Sequence, residues 1–498
     1  MSGQISTNHA APNAVSVLST LATHLARPVD HHTQTRASLH VVDWLGQAVW
    51  GAQQPAAAGF AAARRDLRWS VDSTAADAGA ASFKAEACRS ICGHPAAAGE
   101  PSQVLMLNAA VGNILEMDDL HRTSILHPGP VIVPSAIAVA EALGADGAAL
   151  LTAIVRGYEA TIRIGRALGT SHYRYFHNTS TCGSFGAAAA AASLLGLDAE
   201  RTVWALANAG SRTGGLWQMR HEPCETKSLH NALAAQSGVE AALLAAHGVR
   251  GPAHLLEGPH GLFAAMTDGA DANNVMQLPL EGWLIHEVSF KPWPACRHAH
   301  PSIDAALAAR ASLEAAGRSV DDIASVGVAT YRSAIDFCDK PTPRTVLEAK
   351  FSLQHCAAVV LAHGRPSMAH FEDAAIGSPT LAAWRAKVRV IERPEMSQAF
   401  PQHYAAAVTL TLRDGTVFTH TQADAWGDPE LPMSANDVIG KARELLAAAG
   451  LADEKRIDDL LAATMALNKA RDIREWTALW PSARGGQAQV SQHVARAA

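Results

Sequence analysis

The sequence predicts a mainly α protein in which a large all-helical domain, built from both ends of the chain, is interrupted by a smaller α+β domain. From about Ala14 to His247, Ala, Leu, Ile and Val recur at three- and four-residue spacing between short Gly, Pro or Asp breaks, which is the period of helices. After about Met266 segments of period two appear, the alternation of strands. From Ser434 the helical period returns and runs through Ala463. The boundaries expected on this basis are 1–270 for the first helical part, 271–425 for the α+β domain and 426–480 for the returning helices. Residues 481–498, polar and rich in small side chains, are expected to form a disordered tail.

Within the first part, Pro134–Leu143 and Leu150–Leu168 have clear helical spacing, with the former helix expected to begin near Pro134. Gly183–Leu195 carries the alanine run Ala187–Ala192, which predicts a thin helix packed closely among neighbours at the centre of the bundle. In the α+β part, Ile323–Tyr331, Lys387–Glu392 and Ala406–Thr421 alternate as strands, and Asp414-Gly415 inside the last predicts a hairpin. Helical patterns at Pro301–Ala316 and Val346–His363 lie between them. The seam between the two domains is where a ligand pocket is expected.

The totals narrow the function. The 498 residues, 48% of them hydrophobic, are enough for two cores. Lys and Arg number 40 against 46 Asp and Glu, a net charge of −6, so a nucleic-acid partner is not expected. Only 17% of residues are charged, against about 25% in an average soluble protein, which points to an oligomer. The seven cysteines are odd in number and scattered, unlike a disulfide framework, and the first residues lack a basic segment followed by an apolar one. No stretch reaches the roughly eighteen apolar residues of a membrane span. The expectation is a cytoplasmic protein with no membrane association.

Four segments concentrate chemistry. Glu116, Asp118, Asp119, His121 and His127 fall within one short stretch, where acids and imidazoles shift one another's proton affinity. Tyr173–Gly183 crowds polar and aromatic residues at the start of the alanine-rich helix, so a carboxylate could dock on its N-terminus near Thr181 with His177 beside it, although Thr179, Ser180 or Thr181 could equally serve as the N-cap. Met219–His230 places Lys227 and His230 between apolar helices, where a lysine neutralises a carboxylate or, desolvated, acts as a base. Phe290–Pro301 stiffens the hinge to the α+β domain with two prolines around Lys291. Its Cys296, His298 and His300 alternate, which on an extended segment suggests zinc ligands, but a fourth ligand at ordinary spacing is missing, so no metal site is expected. Nucleotide-binding glycine loops and the serine-hydrolase elbow are absent.

The acidic stretch ending in LHPG, FHNTSTCGSFGAAAAAA, KSLH, FKPWPACRHAH and EAKFSLQHCAA together resemble the MmgE/PrpD family over nearly the whole chain. That family includes 2-methylcitrate dehydratases, cis-aconitate decarboxylases and iminodisuccinate epimerases. The resemblance implies a helical domain with a smaller lid domain, a homodimer, no metal or organic cofactor, and a small di- or tricarboxylate substrate. It implies His127, His177 and Lys227 as catalytic residues, with Lys291 contributed from the lid junction. Glu116 falls where the decarboxylases have aspartate, Phe337 where they carry a functional tyrosine, and Cys296 where they carry histidine. Asp118, His121, Thr181 and His230 complete the expected substrate contacts, and the variable part of the substrate is expected around Tyr331–Lys340.

The shared chemistry implied is loss of a proton or carbon dioxide beside a carboxylate. Lys227 and Lys291 would hold carboxylates while His127 and His177 serve as base and acid, in either order. Dehydration of a citrate-type 2-hydroxy acid is the first expectation, because the departures at Phe337 and Cys296 weaken decarboxylation without touching elimination. Epimerisation of an imino- or amino-dicarboxylate follows closely, and a non-catalytic carboxylate-binding protein is the rival of another class.

Overall fold

A computed structural model describes residues 15–66, 101–222, 224–277 and 279–481. The tail expected from residue 481, apart from Pro481 itself, lies outside the described residues, as do Cys88 and Cys92. The helical body comprises α1 (Val17–Leu25), α2 (His31–Gly51), α3 (Pro55–Asp66), α4 (Pro101–Val111), α5 (Gly129–Leu143), α6 (Gly147–Tyr173), α7 (Asn178–Leu194), α8 (Ala199–Gly210) and α9 (Thr226–Ala246). Local caps start several of them: Ser16, Asp30, Asp146 and Asp198 each accept a hydrogen bond from the backbone of the following turn.

The alanine-rich helix is central. α7 packs against α5, α6, α8 and α9, and Ala187–Ala192 are all buried. A Cβ added at Gly186 would lie 2.8 Å from the Gly157 carbonyl, so small residues are what allow α6 and α7 to touch through their backbones. Two helix starts differ from the sequence expectation. α5 begins at Gly129 rather than near Pro134, because Asp119, ten residues back, caps it: Asp119 Oδ1 accepts from Gly129 N at 2.8 Å. α7 begins at Asn178 with His177 as its N-cap residue and no side-chain capping bond, so none of Thr179, Ser180 and Thr181 is the cap.

The second body contains α10 (His300–Ala315), β1 (Ile323–Thr330), α11 (Arg332–Cys338), α12 (Val346–Lys350), α13 (Leu353–His363), α14 (Pro379–Lys387), β2 (Val388–Glu392), β3 (Ala406–Leu412) and β4 (Val417–Gln422). Its sheet has the order β2-β1-β3-β4, with β1 and β2 parallel and the other pairs antiparallel. The β3–β4 hairpin turns at Asp414-Gly415, where Gly415 has φ 88°. The helix expected over 346–363 is broken between Lys350 and Leu353, where Ser352 caps α13 by accepting from His355 N. The chain then returns to the helical body as α15 (Ala435–Ala448) and α16 (Glu454–Met465).

The interior follows this division. One apolar cluster joins residues between Val17 and Phe290 with residues from Met433 to Trp480, and another joins Trp293 to Leu412. Two small clusters lie between them: Leu120 packs with Tyr331 and Tyr404, and Leu115 and Met117 pack with Met368 and Leu445. The acidic stretch is therefore anchored by its own apolar residues on both sides. No helix among the described residues is long and apolar enough to cross a membrane.

Buried histidines give the fold a defined acid limit. Burial pushes His40, His172 and His355 down to about 4 and His298 to about 3. Between pH 6.5 and 4 the unfolded chain binds protons at these sites and the folded chain does not, so stability rises with pH through that window. Each shift of this size is worth on the order of 3 kcal/mol. The thermal midpoint is expected to fall steeply from pH 6.5 to 4.5 and to change little from 6.5 to 8; a flat profile down to pH 4.5 contradicts it.

Candidate active site

The site is organised around the connection between α4 and α5. Apolar Leu115, Met117 and Leu120 are buried in the seam clusters, while Glu116 and Asp118 alternate with them and face a common centre. Glu116 has φ 59°, a left-handed conformation that costs a non-glycine residue roughly 1–3 kcal/mol and persists only where surrounding contacts enforce it.

A two-residue antiparallel bridge explains how Lys291 arrives. Leu120 N donates to Ser289 O at 3.0 Å and Ser289 N to Leu120 O at 2.8 Å. Continuing that register by two residues sets Lys291 opposite Asp118, and its Nζ lies 3.4 Å from Asp118 Oδ1, 3.9 Å from Glu116 Oε2 and 3.3 Å from Glu116 O. Lys227, in the first turn of α9, completes the pairing with Nζ at 2.6 Å from both Glu116 carboxylate oxygens.

His127 meets Asp118 from the other side. Its Nδ1 lies 2.8 Å from Asp118 Oδ2 and 3.0 Å from Asp119 O; the carboxylate is nearer, while the better-directed hydrogen bond runs to the carbonyl. Both neighbours are acceptors, so Nδ1 carries the proton and Nε2 keeps its lone pair. Burial pushes His127 down, and Lys291 and Lys227 add to this against the opposing pull of Asp118. Burial raises Asp118 on its own, but Lys291, His127 and Lys227 hold it well below the usual carboxylate range. Lys227 is raised, since Glu116 and Asp118 outweigh its desolvation.

His177 is placed by a second bridge. His177 N donates to Gly215 O at 2.8 Å and Trp217 N to Tyr175 O at 2.9 Å, which lays the Trp217 ring 4.7 Å from the imidazole. His177 Nδ1 and His230 Nδ1 lie 3.2 Å apart, and among the described residues no carboxylate forms a hydrogen bond or ion pair with the ring. Burial, then His230, Lys227 and His127, drive its proton affinity well down. Its Nε2 is buried without a hydrogen-bond partner. Phe337 reaches this wall from the second body, with ring centroids 5.9 Å from Tyr173, 5.8 Å from Trp217 and 4.9 Å from His298.

Not every expected residue joins this group. His121 turns away to Ser124 Oγ at 2.7 Å and Glu287 at 3.5 Å. Thr181 Oγ1 pairs with His172 Nε2 at 3.0 Å, and the N–H groups of Ser180 and Thr181 donate to His177 O, so these groups of the helix end are engaged within the protein. Asp119 is a structural acid, accepting from Gly129 N, from Tyr158 Oη at 2.6 Å and pairing with His40 Nδ1 at 2.7 Å. A Cβ at Gly129 would meet Asp119 Oδ1 at 2.7 Å, which accounts for the glycine of LHPG. Burial raises the Cys296 thiol, but a hydrogen bond with Cys338 and the nearby Lys291 bring it below its ordinary value. His298 pairs with Tyr331 Oη at 2.6 Å and His300 with Ala295 O at 3.0 Å, so the three do not converge on a metal. Elsewhere His403, Asp424 and Glu430 bring ligand atoms together, but Arg122 already binds both carboxylates at 2.6 Å.

Three residues outside the expected site belong to this neighbourhood: His298, weighed in the sequence only as a metal ligand, Lys350 and Lys441. His298 lies within electrostatic reach of His127 and Lys291, and Lys350 within that of Glu116. A lysine in EAKFS inside an otherwise apolar stretch was the available signal for Lys350; Lys441, on an amphipathic helix, offered none.

Comparison with known proteins gives the family. Residues 19–274 match the MmgE/PrpD N-terminal domain and residues 293–467 the MmgE/PrpD C-terminal domain. The chain belongs to the MmgE/PrpD family. Among similar proteins, cis-aconitate decarboxylase of Mus musculus is 28% identical over 373 residues, 72% of this chain and 75% of that protein. Mitochondrial 2-methylcitrate dehydratase of Yarrowia lipolytica is 26% identical over 284 residues, 55% of this chain and 54% of that protein. The 2-methylcitrate dehydratase of Cupriavidus necator is 29% identical over 238 residues, 46% of this chain and 49% of that protein. The two MmgE/PrpD domains meet at residues 274–293, the stretch that delivers Lys291 to the acidic segment of the first.

Proposed function

We propose that this MmgE/PrpD protein is a lyase that removes a proton beside a carboxylate of a tricarboxylic acid and eliminates water, as expected of a citrate-type 2-hydroxy acid. The observation that carries this reading is the His127–Asp118 pair facing Lys227 and Lys291. His127 has Nδ1 fixed as N–H, a carboxylate at hand to stabilise the imidazolium and a free Nε2, which makes it the base. His177 has no carboxylate partner and is the acid: a bound polyanion beside it raises its proton affinity, and once protonated it gives its proton up readily. In the reaction the C–H pair becomes the C=C bond, His127 Nε2 takes the proton, and the C–O bond breaks as His177 protonates the departing hydroxyl to water. Lys227 and Lys291 hold the substrate carboxylates where negative charge grows.

Decarboxylation is the second reading, favoured by the longer alignment with the cis-aconitate decarboxylases. Against it, Phe337 has no hydroxyl to offer and Cys296 is engaged with Cys338. The test is incubation with citrate, 2-methylcitrate, cis-aconitate and aspartate derivatives in deuterated water, followed by NMR. Dehydration is expected for a citrate-type acid, with deuterium entering on the reverse reaction. Carbon dioxide release replaces the first reading by the second, exchange without net product points to an epimerase, and binding without exchange of any acid leaves a non-catalytic protein.

A further inference from the structure

The backbone of the acidic stretch is held by charged side chains in sequence. Lys350 Nζ donates to Leu115 O at 3.0 Å, Lys291 Nζ to Glu116 O at 3.3 Å and Lys441 Nζ to Met117 O at 2.7 Å. Three successive carbonyls are thus taken by three buried ammonium groups. The lysines come from separate parts of the fold: Lys350 ends α12 in the second body, Lys291 lies in the connection between the bodies, and Lys441 sits on the returning helix α15. The middle residue of the three is Glu116, the one in the left-handed conformation.

A neutral donor could satisfy a carbonyl without the desolvation that a buried ammonium costs. What these contacts add is a fixed direction for the intervening side chains. With Leu115 and Met117 held in the apolar seam cluster, the Glu116 and Asp118 carboxylates have one direction left, toward Lys227 and His127. We propose that Lys350 and Lys441 are positioning residues of the active site, which with Lys291 clamp the 115–117 backbone so that Glu116 meets Lys227 and Asp118 meets His127. The site is then complete only when the second body and the C-terminal return are both docked on the first. This inference rests on the His127–Lys227 group being the site of the proposed reaction.

The test uses the full chain and two variants, Lys350→Met and the pair Asp43→Asn with Lys441→Met. The double change removes both partners of the 2.7 Å Lys441–Asp43 ion pair, so no buried charge is orphaned. The first readout needs no substrate: the proton affinity of His127, followed by NMR on protein with labelled histidine and assigned by difference from His127→Gln. The charged and titratable groups facing His127 are Asp118 from its own segment, Lys291, Lys227 from α9, His177 and His298. If the clamp positions Asp118, its loss withdraws the carboxylate and the His127 pKa falls, by about one unit. A lysine acting through its charge alone would, on removal, leave that pKa unchanged or let it rise.

The second readout is turnover. A kcat lower by roughly 30–100-fold, with KM within about threefold, is expected for a misplaced base. An unchanged or raised His127 pKa in both variants overturns the proposal, whatever happens to turnover. If wild-type protein converts none of the acids, the functional reading fails while the NMR comparison still decides the clamp.

Discussion

Lys227→Met is expected to reduce kcat/KM on the acid the wild type converts by at least about 10²–10³-fold, the usual effect of deleting a preorganised charge at a developing anion. It is also expected to destabilise the fold, because Glu116, whose side chain is 4% exposed, loses the ammonium that touches both its oxygens. Removing one partner of a buried ion pair costs up to about 3–5 kcal/mol, and Lys291 Nζ, 3.9 Å from Glu116 Oε2, offsets part of that loss. The two effects separate in Lys227→Met/Glu116→Gln: thermal stability should return toward wild type while activity stays low. Recovery of activity in the double variant would show that Lys227 serves Glu116 and not the substrate.

His127→Gln is expected to lower kcat by about 10³-fold, within the range for loss of a general base, with KM changed by less than about threefold. The amide cannot accept a proton, so the loss falls on the base itself. Wild-type kcat/KM should decline as pH drops through the His127 pKa, which burial sets below the ordinary 6.5. Stated as a sign, the base must be neutral, so the rate is lost on the acid side of that value, and this limb should vanish in the variant. Deuterium exchange at the substrate carbon that survives His127→Gln within tenfold places the base elsewhere.

The partner of the Thr181 hydroxyl is one that local sequence does not encode. A run of Asn, Thr, Ser and Thr ahead of alanines looks like a cap with spare donors, but His172, nine residues earlier, returns after the break in α6 at Gly169 and takes the Thr181 hydroxyl. The misplaced start of α5 has a similar cause. A cap supplied from ten residues away by Asp119 leaves no signature next to the helix, and Pro134 marks only the loss of one bond inside it. His121 was grouped with the acids by proximity in sequence, yet its hydrogen bonds to Ser124 and Glu287 point it out of the site.

The sequence alone was sufficient for the periodic features, because burial of one face imposes a spacing that can be read residue by residue: the α, α+β, α layout, the thin central helix and the Asp-Gly hairpin. It was also sufficient for the residue types at the site and for the family likeness they carry. Tertiary structure alone decided which of them meet. The Leu120–Ser289 bridge sets Asp118 against Lys291, the Phe176–Leu216 bridge lays Trp217 on His177, and Lys350 and Lys441 reach carbonyls more than 200 and 300 positions away in the chain. Hydrogen bonds and ion pairs act over about 3 Å in space and leave no period in sequence, so proton-acceptor geometry, unlike fold class, is fixed only when the two bodies and the returning helix close on one short segment.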